Sequence, residues 1–184
     1  MPEPHQAPIA FETSCVVAAS LDEVHRHLSD PNSYIGLSPL IVAVRDVRPG
    51  RDAQGRAIVD YLAVERFRLF GPVRWDNVIR VRLTPQPPDR LVSDVRSPGW
   101  VRLRAVVELA AVADGTQVRE QITAFAPAPL RRFVAAQARQ AAAHRATELP
   151  HRIPPPPPPP PPDPHPHPTV DHEVGGTSRS SKCR

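Results

Sequence analysis

The chain has 184 residues, 26 of them proline and 8 glycine, with 23 basic against 19 acidic side chains. Too little glycine rules out collagen, the absence of a run of about 18 apolar residues argues against a membrane-spanning helix, and a net charge of +4 is a mild excess rather than the basic stripe of a dedicated nucleic-acid binder. Twelve prolines lie beyond residue 150, nine of them in the unbroken run Pro154 to Pro162. Proline has no amide hydrogen and a fixed φ, so that run cannot join a helix or a sheet ladder. The sequence therefore divides into a foldable body, 1–150, and a proline-rich tail, 151–184, expected to remain unfolded.

The body opens on a Val-, Thr- and Phe-rich strand from Ile9 to Ala19. Ser20-Leu21-Asp22-Glu23 is a capping-box pattern, and Leu21, Val24 and Leu28 make the apolar face of a short helix stopped by Pro31. A second helical turn is predicted over Asn32 to Leu37. From Ile41 the period changes to two. Strands are predicted at Ile41–Arg48, Ala57–Phe70, Val73–Thr84, Leu91–Ser97, Trp100–Val112 and Gln117–Ala126. The breaks between them are a loop holding Pro49 and Gly50, a Gly71-Pro72 turn, the prolines 85, 87 and 88, a Ser97-Pro98-Gly99 turn and an Asp114-Gly115 hairpin.

After Pro127 and Pro129 the period returns to 3.6. Leu130 to Leu149 reads as a helix of about 20 residues, roughly 30 Å long. Leu130, Phe133, Val134, Ala138, Ala141 and Leu149 form its apolar stripe, and Pro150 is expected to end it. A sheet with one apolar face needs a cover, and this helix is the only element long enough. The fold class is therefore α+β: a seven-stranded curved antiparallel sheet gripping a long C-terminal helix, with two short helices between the first and second strands. The helix is rich in alanine, from Ala135 to Ala146, which predicts an apolar cavity left open against the sheet.

The element order, with Val17-Ala18-Ala19-Ser20-Leu21-Asp22-Glu23-Val24 running into Leu28-Ser29-Asp30-Pro31, resembles the START-like or SRPBCC superfamily over about residues 9 to 150. That superfamily includes polyketide cyclases and dehydratases, lipid-transfer domains and other binders of hydrophobic ligands. The resemblance implies a helix-grip fold with an internal pocket. It implies no particular reaction.

Strand phase selects the candidate site residues. Glu120 shares phase with Val118, Ile122 and Ala124, so its carboxylate is expected on the apolar face. An ionised carboxylate buried alone is costly and its pKa would rise, which suits a general acid or base. The competing expectation is that Glu120 reaches water near the strand end or that a bulge shifts the phase. Asn77, in phase with Trp75 and Ile79, and Ser93, in phase with Leu91 and Val95, are expected inside as ligand-orienting groups or as satisfied core polar residues. Trp75 and Tyr61 are expected to stack on a flat ring or to pack the core. Tyr34 is expected to gate the pocket mouth, and inward Val107 and Ile122 to supply apolar area.

Other chemistries find no support in the sequence. His25 and His27 stand two apart on a helix and do not face each other, which argues against a metal pair. The chain has no Gly-rich phosphate loop, nucleophile elbow or CxxC, and no cofactor is expected. Cys15 and Cys183 are not expected to form a structural disulfide, and Met1-Pro2-Glu3-Pro4-His5 does not read as a signal peptide, so a reducing, cytoplasmic setting is expected. The outward strand phase collects Arg74, Arg80, Arg82, Arg96, Arg102, Arg104 and Arg119 against Asp76, Asp94 and Glu108, either a solvated face or a surface for an acidic partner, an anionic lipid headgroup or RNA. The tail run is expected to form a polyproline II rod of roughly 28 Å, a spacer or the ligand of a proline-recognition partner, and His165 and His167 with His151 and His172 make it a weak metal binder.

Three functions are thus open: binding of a small hydrophobic or aromatic ligand between sheet and helix, a polyketide cyclase or dehydratase-type enzyme with Glu120 moving a proton, and a non-catalytic interaction protein that uses the arginine face or the tail.

Overall fold

The computed structural model describes residues 7–68 and 73–153. The Gly71-Pro72 turn, the N-terminal pentapeptide, the proline run, His165, His167, His172 and Cys183 lie outside the described residues. The elements are β1 (Ile9–Val17), α1 (Leu21–Ser29), a 3-10 turn (Pro31–Tyr34), β2 (Ile41–Arg51), β3 (Ala57–Arg68), β4 (Arg74–Gln86), β5 (Arg90–Ser97), β6 (Val101–Val112), β7 (Gly115–Phe125), a 3-10 turn (Ala128–Leu130) and α2 (Arg131–Arg152).

The seven strands form one antiparallel sheet in the order β1-β7-β6-β5-β4-β3-β2. β2 to β7 are a meander, and β1 joins it on the far side by pairing with β7. The segment holding α1 therefore crosses from one sheet edge to the other. Its start is fixed as the sequence requires: the Ser20 amide donates to Glu23 Oε2 at 3.0 Å, and the Ser20 hydroxyl accepts from the Glu23 amide. Val24 and Leu28 are buried from its apolar face. Asp30 then accepts from the Asn32 amide at 2.9 Å and Pro31 occupies the first position of the next turn, so the second helical segment is one short 3-10 turn.

Four boundaries differ from the expected ones, each for a physical reason. β2 continues through Pro49 and Gly50, because β2 is an edge strand with β3 as its one partner, where a missing amide is tolerated. β4 continues through Pro85 to Gln86, because the pairing with β3 has already ended at Val59–Leu83 and Pro85 faces β5 alone. The β6–β7 loop is Ala113-Asp114, and Gly115 instead opens β7. There φ is +134°, and a Cβ would stand 2.1 Å from the Val17 carbonyl oxygen, so only glycine admits this approach of the hairpin to β1. Finally, Pro150 lies inside α2 rather than ending it. The helix carries on to Arg152, and Ile153 beyond it is buried in the main core.

One face of the sheet carries that core. Tyr61, Ile79, Val81, Leu83, Leu91, Leu109 and Val118 pack with Val24 and Leu28 of α1 and with Leu149 and Ile153 at the end of α2. Under the middle of α2 the packing is thinner: a separate cluster holds only Ala105, Ile122 and Ala142 as buried residues. The expected stripe on α2 is only partly the buried one. Ala138, Ala142 and Leu149 are buried, whereas Leu130 and Phe133 are exposed.

Candidate functional site

The buried line on α2, Ala138, Ala142 and Leu149, continues at helical spacing through position 145, and an arginine stands there. Arg145 projects at β7 and meets the inward carboxylate of Glu120. Its Nη2 donates to Oε1 at 2.8 Å and its Nε to Oε2 at 3.2 Å. The two side chains retain only 18% and 12% of their exposure, so this is a bidentate ion pair withdrawn from water. Glu120 does point to the apolar face, but its carboxylate is not alone there.

The pair closes one side of a small cavity of about 30 Å³, the room of about one water molecule. Thr13 and Cys15 of β1, Val107 of β6 and Val118 of β7 form its sheet wall. Leu28, Tyr34 and Leu37 close it from the α1 side, and Ala146 and Leu149 from α2. The open apolar cavity expected from the alanine-rich helix is thus nearly filled, because α2 sits close enough on β1 and β7 for small side chains to touch the sheet.

Tyr34 is an inner wall rather than a gate. Its hydroxyl donates to the Leu28 carbonyl at 3.2 Å. Burial pushes the phenol up to about 12, against the pull of Arg145, with Glu120 raising it and the Ser93 hydroxyl lowering it. Burial also raises the Tyr61 phenol, and Tyr34 adds to that. Burial works against the charge of Arg145, and the adjacent Glu120 outweighs it, so the guanidinium is held protonated. Cys15 is raised first by burial and then by the Glu120 charge. The structure therefore brings Tyr34, Tyr61, Ser93, Val107 and Glu120 together around Arg145.

The remaining expected site residues lie elsewhere on the same face. Ile122 packs under the middle of α2 with Ala105 and Ala142. Asn77 is buried and satisfied: its amide donates to Glu65 Oε2 at 2.9 Å and to Ser97 Oγ at 3.0 Å. Burial raises the Glu65 carboxyl, and the Asn77 bond partly offsets this. Trp75 is 48% exposed and packs no core. It stacks on Phe67 at 5.4 Å, and Phe67 touches Phe133 of α2 at 5.7 Å. These three rings form an aromatic cluster that joins the start of α2 to β3 and β4.

Arg145 and Glu65 are candidates that the expected set left out. Both carried a signal. Arg145 falls on the Ala138–Ala142–Leu149 line, and Glu65 shares phase with Tyr61 and Ala63. Among the described residues no cluster of three metal-ligating side chains occurs, and no helix is long and apolar enough to cross a membrane.

No protein-family model matches the chain, and no curated protein is similar to it in sequence. Solved structures do match in shape. A START superfamily protein from Mycobacterium smegmatis superposes with a TM-score of 0.60 at 15% identity, over 80% of this chain and 97% of its own. The chain has the START-like helix-grip fold. The Zhui aromatase/cyclase from Streptomyces sp. R1128 superposes on this START-like domain with a TM-score of 0.61 at 15% identity, over 78% of this chain and 92% of its own. The di-domain aromatase/cyclase StfQ from the steffimycin biosynthetic pathway does so with a TM-score of 0.54 at 15% identity, over 77% of this chain and 52% of its own.

Proposed function

We propose that this START-like domain binds a small hydrophobic, ring-bearing ligand between α2 and the sheet, with its polar end at the Glu120–Arg145 pair. The observation that carries the reading is that pair itself. A bidentate ion pair costs desolvation, and apolar residues of similar volume would stabilise the core as well or better. Its presence opposite Tyr34 and Ser93 supports a role in orienting a hydroxyl or carbonyl group. Trp75, Phe67 and Phe133 offer ring faces for the ligand at the start of α2, and the hydrogen-bonded Asn77 and Glu65 follow next along the same two strands.

A cavity of about 30 Å³ is too small for a ring-bearing ligand, so binding lifts α2 from the sheet. Two features make that movement cheap. The middle of α2 buries only alanines, which forfeit little apolar area. The helix is also held at its far end, where Leu149 and Ile153 are buried and Arg152 donates to the Ile35 carbonyl at 3.0 Å. The N-terminal half then moves about a fixed C-terminal anchor. Cys15 carries no disulfide among the described residues, and a cytoplasmic site of action completes the proposal.

The test uses the tryptophan on this face. In Trp100→Phe, Trp75 is the only tryptophan. Titration with a fused-ring phenol such as 1,8-dihydroxyanthraquinone is expected to quench it saturably with one-to-one stoichiometry. Ala146→Leu, which fills the cavity, is expected to abolish the quench. Saturable binding unaffected by that substitution contradicts the site.

A second reading, cyclisation of a poly-β-ketone-type substrate, draws on the aromatase/cyclase names of two of the structural neighbours. In it, Glu120 and Arg145 would move or stabilise charge on a substrate folded against them. Turnover lost with binding retained in Glu120→Gln would favour it over binding alone.

A further inference from the structure

The outer face of the sheet carries two neighbouring cross-strand rows that differ in one respect. In the first, Asp60, Arg82, Asp94 and Arg104 face one another across β3 to β6 and alternate in sign. Their charges are matched: Arg82 donates to Asp60 at 2.7 Å and Arg104 to Asp94 at 3.2 Å. In the second, two residues further along each strand, Leu62, Arg80, Arg96, Arg102 and Phe125 face one another across β3 to β7. Here Arg80, Arg96 and Arg102 stand side by side and make no ion pair among the described residues. Like charges directly opposite destabilise a strand pair. With strands about 4.8 Å apart, the three arginine backbone positions span about 10 Å.

Both rows line an open trough of about 1820 Å³ on the twisted sheet. Tyr61, Val81, Val95 and Leu103 lie between the rows; Tyr61 and Val81 are buried in the core on the other face, so here the trough floor is backbone. Exposed aromatics end the arginine row. Phe125 is paired with Arg102, and Trp100, in the turn before β6, is 85% exposed. Trp100 also holds φ at +64°, a left-handed conformation that is strained for a bulky residue.

We propose that this trough binds single-stranded nucleic acid, with phosphates on Arg80, Arg96 and Arg102 and bases stacked on Trp100 and Phe125. Planar guanidiniums suit phosphate oxygens in bidentate fashion, and aromatic platforms beside a basic groove are how unpaired strands are held without sequence preference. An acidic peptide would satisfy the arginines but leave Trp100 unused. A flat bilayer surface does not enter a trough. A duplex hides its base faces, and this sheet offers no helix for the major groove. Composition conceals the site, since the chain is only +4 overall; strand alternation and register concentrate the unpaired arginines in one row.

The test is fluorescence anisotropy of the full chain with a short labelled oligothymidine over a range of salt. The unmodified protein is expected to bind saturably. The triple variant Arg80→Gln, Arg96→Gln, Arg102→Gln is expected to lose at least tenfold in affinity, and its log Kd against log salt is expected to flatten by about 2, from about 0.7 per phosphate. Trp100→Ala is expected to lose about five- to a hundredfold with the salt slope unchanged. Urea unfolding of the triple variant is expected at or above the normal midpoint, because the row repels itself. Absence of saturable binding at low salt overturns the proposal. So does equal binding of a polyglutamate of matched charge with Trp100→Ala unaffected, which would assign the face to acidic proteins.

Discussion

Glu120 of β7 and Arg145 of α2 form a two-bond ion pair in the wall of the small cavity, and that pair ties the C-terminal half of the gripped helix to the sheet. Removing one partner leaves the other charge buried. Glu120→Leu or Arg145→Met is therefore expected to destabilise the domain by about 3–5 kcal/mol. The double replacement Glu120→Leu, Arg145→Met should recover most of that loss. Urea unfolding of the four proteins measures the cycle, and additive single effects would show that the two side chains do not interact.

Cys15 reports on the same pocket. Burial and then the Glu120 charge hold its thiol above the ordinary range, so alkylation by iodoacetamide at neutral pH is expected to be slow. Glu120→Gln removes the like charge and leaves Arg145 nearby, so alkylation should accelerate and its pH midpoint should fall. A ligand seated at the pair should slow it.

Much of this was legible before any coordinates. The capping box, the change of period at Ile41 and the return to helix after Pro129 define the elements, and Glu120 was placed inside by phase alone. What escaped were relations across the fold. Glu120 invites a cation, but nothing local says that position 145 supplies it; α2 has arginines on several sides, and which one faces inward depends on how the helix docks. Trp75 shares phase with buried Asn77 and yet stays exposed, because phase assigns a face and not the extent of its cover. Pro150 reads as a stop, while the burial of Ile153 draws the helix two residues past it. Strand phase shows the arginines as one charged face, but their separation into a matched and an unmatched row is a matter of register.

Glu65 gives a pH dependence of defined sign. Burial raises its carboxyl above the unfolded value, so the folded state holds the proton more tightly. That favourable contribution is present below the ordinary glutamate pKa of about 4.3 and is lost as pH rises through the higher folded value. Glu65→Gln keeps an acceptor for Asn77 without a charge. It is expected to raise the urea midpoint at pH 7 and to leave it nearly unchanged at pH 4. A lower midpoint at pH 7 would mean that the ionised form is the stabilising one.

The packed body reaches Ile153. Truncation after Ile153 is expected to leave unfolding and ligand quenching of Trp75 unchanged. Truncation after Pro150 removes the Arg152–Ile35 bond and the buried Ile153 side chain, and is expected to cost about 1.5–3 kcal/mol. Equal stability of the two truncations would show that the end of α2 is no anchor.

The central claim is that the START-like domain holds a lipophilic small molecule under α2. Native mass spectrometry of the purified full chain, beside Ala146→Leu, tests it most directly. The account predicts a co-purified or added fused-ring ligand on the unmodified protein, released as one small mass on activation, and a bare protein mass for the filled variant. A ligand retained equally by both, or no ligand on either after saturating addition, would contradict it.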